Sequence, residues 1–180
     1  MITMFLAPGF EEIEALCPLD LLRRAGLEVL TVGIGGKEIT GAHGICVSAD
    51  MVDSDYDTSL LPDLVFLPGG MPGTLNLGKS TLVTKTVKKA YENGRFVAAI
   101  CAAPSILGDM GLLAGKEAIC YPGFEDRLTG AVLSDKRVVV DGKIITAAGM
   151  GVALEMGLTL VELFCGTEQA LALRHAVIAD

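Results

Sequence analysis

Arg95-Phe96-Val97-Ala98-Ala99-Ile100-Cys101-Ala102-Ala103-Pro104-Ser105-Ile106-Leu107 is an apolar, strand-like run that ends on a cysteine and turns at once into a helix start. A strand that breaks into a helix this abruptly lifts one side chain out of the sheet, and the first free helical N–H groups point back at it. Small residues have to flank the turn. Ala99, Ala102 and Ala103 supply them, and Pro104 suits a first helical turn, where its missing N–H removes nothing the helix needs. The pattern predicts a nucleophile elbow carrying Cys101. A thiol at a helix N-terminus is expected to favour thiolate, with its pKa lowered. A cysteine in an apolar run otherwise reads as a small packing hydrophobe, and it is the order strand, cysteine, small-small-proline, helix that points to chemistry.

Outward from the elbow, strand and helix patterns alternate, the signature of an α/β fold with helices on both faces of a mostly parallel sheet. Strands are predicted at Ile2 to Ala7, Leu27 to Gly33, Leu64 to Leu67, Phe96 to Ile100, near Cys120, and Ile144 to Ala147. Helices fit Glu12 to Ala25, with a kink at Pro18, then Thr81 to Asn93, Pro104 to Met110, Val152 to Cys165 and Thr167 to Ile178. Gly26, Gly94 and Gly111 read as stop signals. Hairpins are predicted between Lys37 and Val47 and around Asp141-Gly142. Neither a repeat nor a linker interrupts the 180 residues, so one domain over 1–180 is expected.

Composition narrows the function classes. A formal charge of −8, with Lys and Arg scattered, argues against nucleic acid and anionic membrane surfaces as partners. The apolar start Met1-Ile2-Thr3-Met4-Phe5-Leu6 lacks a basic flank and runs into Pro8-Gly9, so it reads as a first strand and not a signal peptide; a cytoplasmic address is expected. The five cysteines never fall as C-x-x-C, and only His43 and His175 are available as imidazoles, so neither a disulfide framework nor a metal site is suggested. Cys17, Cys46, Cys120 and Cys165 read as packing thiols.

In open α/β sheets, ligands bind beyond the carboxyl ends of the strands. Besides the elbow, two loops qualify: Ala7-Pro8-Gly9-Phe10-Glu11-Glu12-Ile13-Glu14 and Leu67-Pro68-Gly69-Gly70-Met71-Pro72-Gly73. Gly69 and Gly70 let a backbone N–H approach a reacting group, although a plain turn has the same composition. Glu14 is singled out among the acids: with Ile13, Leu16 and Leu21 expected to be buried, it lies at the edge of the inward face. Glu11 and Glu12 read as first-turn acids complementing the helix dipole. The loop after Ala7 lacks a Ser/Thr-rich phosphate cradle, which disfavours a flavin; no cofactor is expected.

Taken together, the first loop, Pro18 to Gly26, Leu67-Pro68-Gly69-Gly70 and Ala98-Ala99-Ile100-Cys101-Ala102-Ala103-Pro104 resemble the ThiJ/PfpI superfamily, nearest to the branch of the Parkinson-disease protein deglycase and its YajL-like bacterial relatives. The resemblance implies a flavodoxin-like three-layer sandwich of the class I glutamine amidotransferase-like kind, and a homodimer. By position it implies Cys101 as nucleophile, Glu14 as its protonated carboxyl partner, and the N–H groups of Gly70 and Ala102 as the oxyanion site. It also implies a small dicarbonyl or glycated-protein substrate and a glyoxalase or deglycase reaction. The alternative is a redox-sensing stress protein or chaperone with an oxidisable cysteine; an amidase or protease ranks below both.

The chain departs from the family pattern at several positions. Ala102 stands where the protease-like branch has histidine, Tyr121 precedes Pro122 where many relatives have histidine, and His43 replaces an arginine near the hairpin. Gly149-Met150-Gly151 replaces a Gly-Pro-Gly loop, and His175-Ala176-Val177 does not complete an amidotransferase triad. Gly69, Tyr121 and His43 are therefore pocket candidates, while a Cys-His hydrolytic pair is not supported.

Overall fold

The central strands are nearly continuous apolar runs such as Leu64–Leu67, and because successive side chains point to opposite faces, both faces of the sheet are buried. Residues 1–179 are described by a computed structural model. In chain order the elements are β1 (Ile2–Leu6), α1 (Glu12–Arg24), β2 (Val29–Gly33), β3 (Glu38–Thr40), β4 (Cys46–Ser48), β5 (Met51–Val52), β6 (Leu64–Leu67), α2 (Gly73–Lys79), α3 (Thr81–Glu92), β7 (Phe96–Ile100), α4 (Pro104–Asp109), β8 (Glu117–Ala118), β9 (Val132–Leu133), β10 (Val138–Asp141), β11 (Ile144–Ala147), α5 (Ala153–Cys165) and α6 (Thr167–Ala176). The main sheet runs β10-β11-β7-β6-β1-β2-β5, parallel throughout except for the β10–β11 hairpin at its edge.

Ile2, Met4, Leu6, Leu64, Phe66, Ala98 and Ile100 face one core, shared with Leu22 of α1 and Met156 and Leu160 of α5. Their neighbours Phe5, Val65, Leu67, Val97 and Ala99 face the other, with Leu77, Val87 and Leu107 from α2, α3 and α4. Each such Leu, Phe or Met contributes about 1.5–3 kcal/mol when fully buried. The result is a three-layer α/β sandwich.

α1 runs without interruption through Pro18 and packs its second half on α5. Gly157 makes that crossing close: a Cβ there would stand 3.1 Å from the Pro18 Cα and 2.5 Å from the Leu21 Cδ1. The predicted hairpin between Lys37 and Val47 forms as β3–β4. The strand expected near Cys120 is instead the two-residue β8, paired with β9 outside the main sheet. The helix α2 and the short β5 have no counterpart among the predicted elements.

For the site, the decisive fact is that β1, β6 and β7 are consecutive neighbours at the sheet centre. All three are parallel, so the loops after Leu6, Leu67 and Ile100 emerge side by side at one end.

Candidate active site

Cys101 takes φ +64, one of two non-glycine residues with positive φ among those described. The left-handed conformation costs an L-residue about 1–2 kcal/mol, and the surroundings hold it in place. The Cys101 N–H donates to the Ala147 carbonyl at 2.9 Å, and the Cys101 carbonyl accepts from the Tyr121 N–H at 2.8 Å. Beyond the elbow, Ser105 Oγ donates to the Ala102 carbonyl at 2.6 Å in a fully buried turn. The sharp turn deduced from the small flanking residues is present.

Glu14 arrives from the first turn of α1. Its N–H donates to Glu11 Oε2 at 2.7 Å, which makes Glu11 the N-cap. Its side chain is fully buried, whereas Ile13 is 47% exposed. The expected phase of α1 is therefore corrected at its start. The first turn faces the two glycine loops and not the sheet, so the acid turns inward and the isoleucine outward. Glu14 Oε2 accepts from the Gly69 N–H at 3.0 Å, and Oε1 is buried with no hydrogen-bond partner.

Gly69 is what allows the carboxyl and the cysteine to meet. A Cβ at that position would lie 2.5 Å from Glu14 Oε2, 2.7 Å from the Cys101 Cβ and 2.9 Å from the Ile100 carbonyl oxygen. Gly70, at φ +88, presses its backbone on that of Phe10 and Glu11, and the Glu11 N–H donates to the Gly69 carbonyl at 2.9 Å. The first and second loops are thus fused main chain to main chain.

Electrostatics follow from this burial. Desolvation pushes Glu14 up to about 7, helped by the nearby Glu11 charge and opposed by the Cys101 thiol and the Gly69 and Met150 amides. Cys101 is pushed up to about 12, first by burial and then by the Glu14 carboxylate, while the N–H groups of Ala102 and Gly70 favour its thiolate. The expectation of a thiol pKa lowered by the helix is therefore corrected. α4 has only six residues, so its dipole is short, and burial against a carboxylate outweighs it. Glu14 and Cys101 titrate as a pair that gives up its first proton near pH 7.

Of the other candidates, Tyr121 joins the site and His43 does not share a contact with the pair. The Tyr121 ring, 51% exposed, lies against Gly149, the residue that also borders Glu14 Oε1. His43 instead binds Glu12: its N–H donates to Oε1 at 2.7 Å, and its Nδ1 lies 2.9 Å from Oε2. Glu12 is itself buried and not the solvated first-turn acid its position suggests, and it also accepts from the Ile45 N–H at 3.4 Å. Glu11, Glu12 and His43 bring possible ligand atoms within 4.8 Å of one another. Those carboxylates already bind the Glu14, His43 and Ile45 amides, so they tie the β3–β4 hairpin to α1. Cys46 is exposed and not a packing thiol, and Cys120 is buried, with its pKa pushed up to about 11 chiefly by burial. Arg137, whose Nε lies 3.2 Å from Glu155 Oε2 and whose Nη2 donates to the Gly151 carbonyl at 3.1 Å, borders the site without any sequence signal that would single it out.

Comparison with known proteins bears on this arrangement. The DJ-1/PfpI family profile matches residues 1–163. The chain belongs to this family. It is 42% identical over 168 residues to "Protein DJ-1 homolog B" of Arabidopsis thaliana, covering 92% of this chain but only 38% of that protein. The chain thus spans well under half of that plant relative. It is 32% identical to the "Glutathione-independent glyoxalase DJR-1.2" of Caenorhabditis elegans, over 88% of this chain and 85% of that one. Among solved structures, oxidized Toxoplasma gondii DJ-1 superposes with a TM-score of 0.94 at 35% identity, covering 98% and 97% of the two chains. The flavodoxin-like sandwich expected from the motifs is therefore the fold of the DJ-1/PfpI family as well. Among the described residues, no helix is long and apolar enough to cross a membrane.

Proposed function

We propose that the protein is a cofactor-independent glyoxalase or deglycase that converts small α-oxoaldehydes, or their adducts on proteins, into 2-hydroxy acids through Cys101. One observation carries the reading: a buried carboxyl that ionises near neutrality stands against a strained elbow cysteine, with only Gly69 between them. Such a carboxyl is tuned for moving protons at pH 7. The name of the worm relative supports the same chemistry.

The steps balance without an external oxidant or reductant. Sulfur bonds to the aldehyde carbon while the thiol proton passes by way of Glu14 to the aldehyde oxygen, giving a hemithioacetal. Glu14 then takes the proton from that carbon and delivers it to the neighbouring carbonyl carbon through an enediol, leaving a thioester of the 2-hydroxy acid. Water breaks the S–C bond, the sulfur regains its proton, and the acid departs. The Gly70 and Ala102 N–H groups stabilise the oxygen on which negative charge develops, a contribution of about 3–4 kcal/mol for one well-placed donor. With methylglyoxal the product is lactate.

A redox role is the second reading, favoured by the oxidised state of the similar Toxoplasma gondii structure. The same N–H groups suit a sulfinate oxygen as well as a transition-state oxyanion. One titration separates the two. Peroxide is added in steps, oxidation of the Cys101 peptide is followed by mass spectrometry, and lactate formation is measured on the same samples. The glyoxalase reading expects lactate formation to fall in proportion as Cys101 oxidation rises, with no lactate from Cys101→Ala. Lactate that persists after complete oxidation removes Cys101 as nucleophile, and ready oxidation of a protein that never makes lactate replaces the enzyme by the sensor.

A homodimer belongs to the same proposal. Ile13 and Ile45 are 47% and 53% exposed on either side of the Glu12 contact, a surface that a second copy would cover. Sedimentation at micromolar concentration tests it, and a monomer overturns it.

A further inference from the structure

Beside the reactive pair opens a cleft of about 580 Å³, lined by Tyr121, Pro122, Ala148, Met150 and Val152 with the backbone of Gly149. Its walls border the pair at two points. The Tyr121 N–H holds the Cys101 carbonyl, and a Cβ on Gly149 would stand 3.3 Å from Tyr121 Cδ2 and 3.9 Å from Glu14 Oε1, the oxygen without a partner. Glu14 is thus flanked by two glycines. The Gly69 side is filled by the Cys101 Cβ, and the Gly149 side is the one on which Tyr121, a wall of the cleft, stands next to the pair.

The walls of the cleft state what that molecule carries there. Tyr121 and Met150 are 51% and 52% exposed, large apolar groups left uncovered beside a polar centre. Arg137, the charged residue in the lining, already binds Glu155 and the Gly151 carbonyl, so a carboxylate would have to compete for it. An apolar cavity of about 150 Å³ suffices for a benzene ring.

We propose that this cleft receives the substituent of the oxoaldehyde, and that Tyr121 makes the enzyme prefer aromatic or branched apolar oxoaldehydes to methylglyoxal. The inference rests on the glyoxalase reading. In that chemistry sulfur holds the first carbon and Glu14 serves both reacting carbons, so the substituent projects from the second carbon into the Gly149 side.

The test compares kcat/KM for phenylglyoxal and methylglyoxal in the wild type, Tyr121→Ala and Tyr121→Phe. Because intrinsic reactivity differs between the aldehydes, the readout is the change in their ratio. Tyr121→Ala should lower the phenylglyoxal-to-methylglyoxal ratio about tenfold, and Tyr121→Phe should hold it within about twofold, since a ring contact and not a hydroxyl is responsible. An unchanged ratio in Tyr121→Ala, or a ratio lost in Tyr121→Phe, overturns the proposal. If the wild type turns over neither aldehyde, the glyoxalase reading falls, and protection of Cys101 from iodoacetamide by mandelate and by lactate judges the cleft separately. Mandelate protecting at lower concentration than lactate, with the difference gone in Tyr121→Ala, supports it; equal protection overturns it.

Discussion

Glu12 and Glu14 sit two residues apart on one helix, both buried, and their environments drive them in opposite directions. Glu12 meets the His43 N–H, the His43 ring and the Ile45 N–H. Burial raises its pKa, but those donors outweigh it and the net direction is down. Glu14 has the Gly69 N–H on one oxygen and no well-formed hydrogen bond on the other, and since the Cys101 thiol and the Met150 amide nearby do not offset burial, its pKa rises to about 7. Burial alone does not make an acid reactive. A buried carboxylate whose lone pairs are satisfied is a fastener, and one left short of donors is poised to hold a proton.

The sharpest way to break this contrast is to remove each carboxylate. Glu14→Gln is expected to cut lactate formation from methylglyoxal by about 10²–10⁴-fold, the usual range for a general acid–base. A rate within a few fold of wild type would take Glu14 out of the proton transfer and leave it a second fastener.

The same substitution should stabilise the protein in alkaline solution. Because the folded-state pKa lies above the ordinary glutamate value of 4.5, the folded chain holds a proton that the unfolded chain has lost between 4.5 and about 7. Stability therefore falls as pH rises through that window and levels off above it, by about 3 kcal/mol at 1.36 kcal/mol per unit. Urea denaturation at pH 4 and pH 8 measures this. Glu14→Gln should lose the slope and exceed wild type at pH 8, and a parallel decline in both proteins would contradict the raised pKa.

Glu12→Ala acts in the other sense. It strands the buried-side donors of the hairpin, a loss of about 1–3 kcal/mol, with amide exchange at 43–45 accelerating most. Glu12 has a depressed folded-state pKa, so its contribution is present above 4.5 and disappears as pH falls through the depressed value. Unfolding in urea at pH 7 that matches wild type would mean that the hairpin is held by something else. The smallest effect is expected of His43→Ala, since the ring is 71% exposed and exposed ion pairs contribute about 0–1 kcal/mol. A loss as large as that of Glu12→Ala would shift the fastening from the backbone amides to the imidazole.

The elbow and the alternating α/β order were legible in the sequence because both are local: small residues around Cys101 and runs such as Leu64–Leu67 carry their own signal. What escaped was set by distant backbone. Hydrophobic periodicity put Ile13 inside and left Glu14 at an edge, since it registers apolar side chains and not a wall made of glycine loops. Glu12 looked solvated because the hairpin that covers it starts some thirty residues on. α2, which opens on Gly73 and contains Gly78, shows no apolar period, and the two-residue β5, β8 and β9 are defined by their pairing partners alone. The thiolate expected from the helix start failed for the same reason. Burial opposes it first, and the carboxylate that adds to burial comes from the first turn of α1, brought close by Gly69.

The claim that Glu14 and Cys101 share a proton is tested most directly by the pH dependence of Cys101 alkylation with iodoacetamide, followed on the Cys101 peptide so that exposed Cys46 does not intrude. With the Cys101 thiol pushed up to about 12 by burial and by the Glu14 carboxylate, the wild-type rate should keep climbing well above the ordinary thiol range, and Glu14→Gln, which removes that carboxylate, should move the rise to lower pH. A single midpoint near the ordinary thiol value, identical in the two proteins, would contradict it.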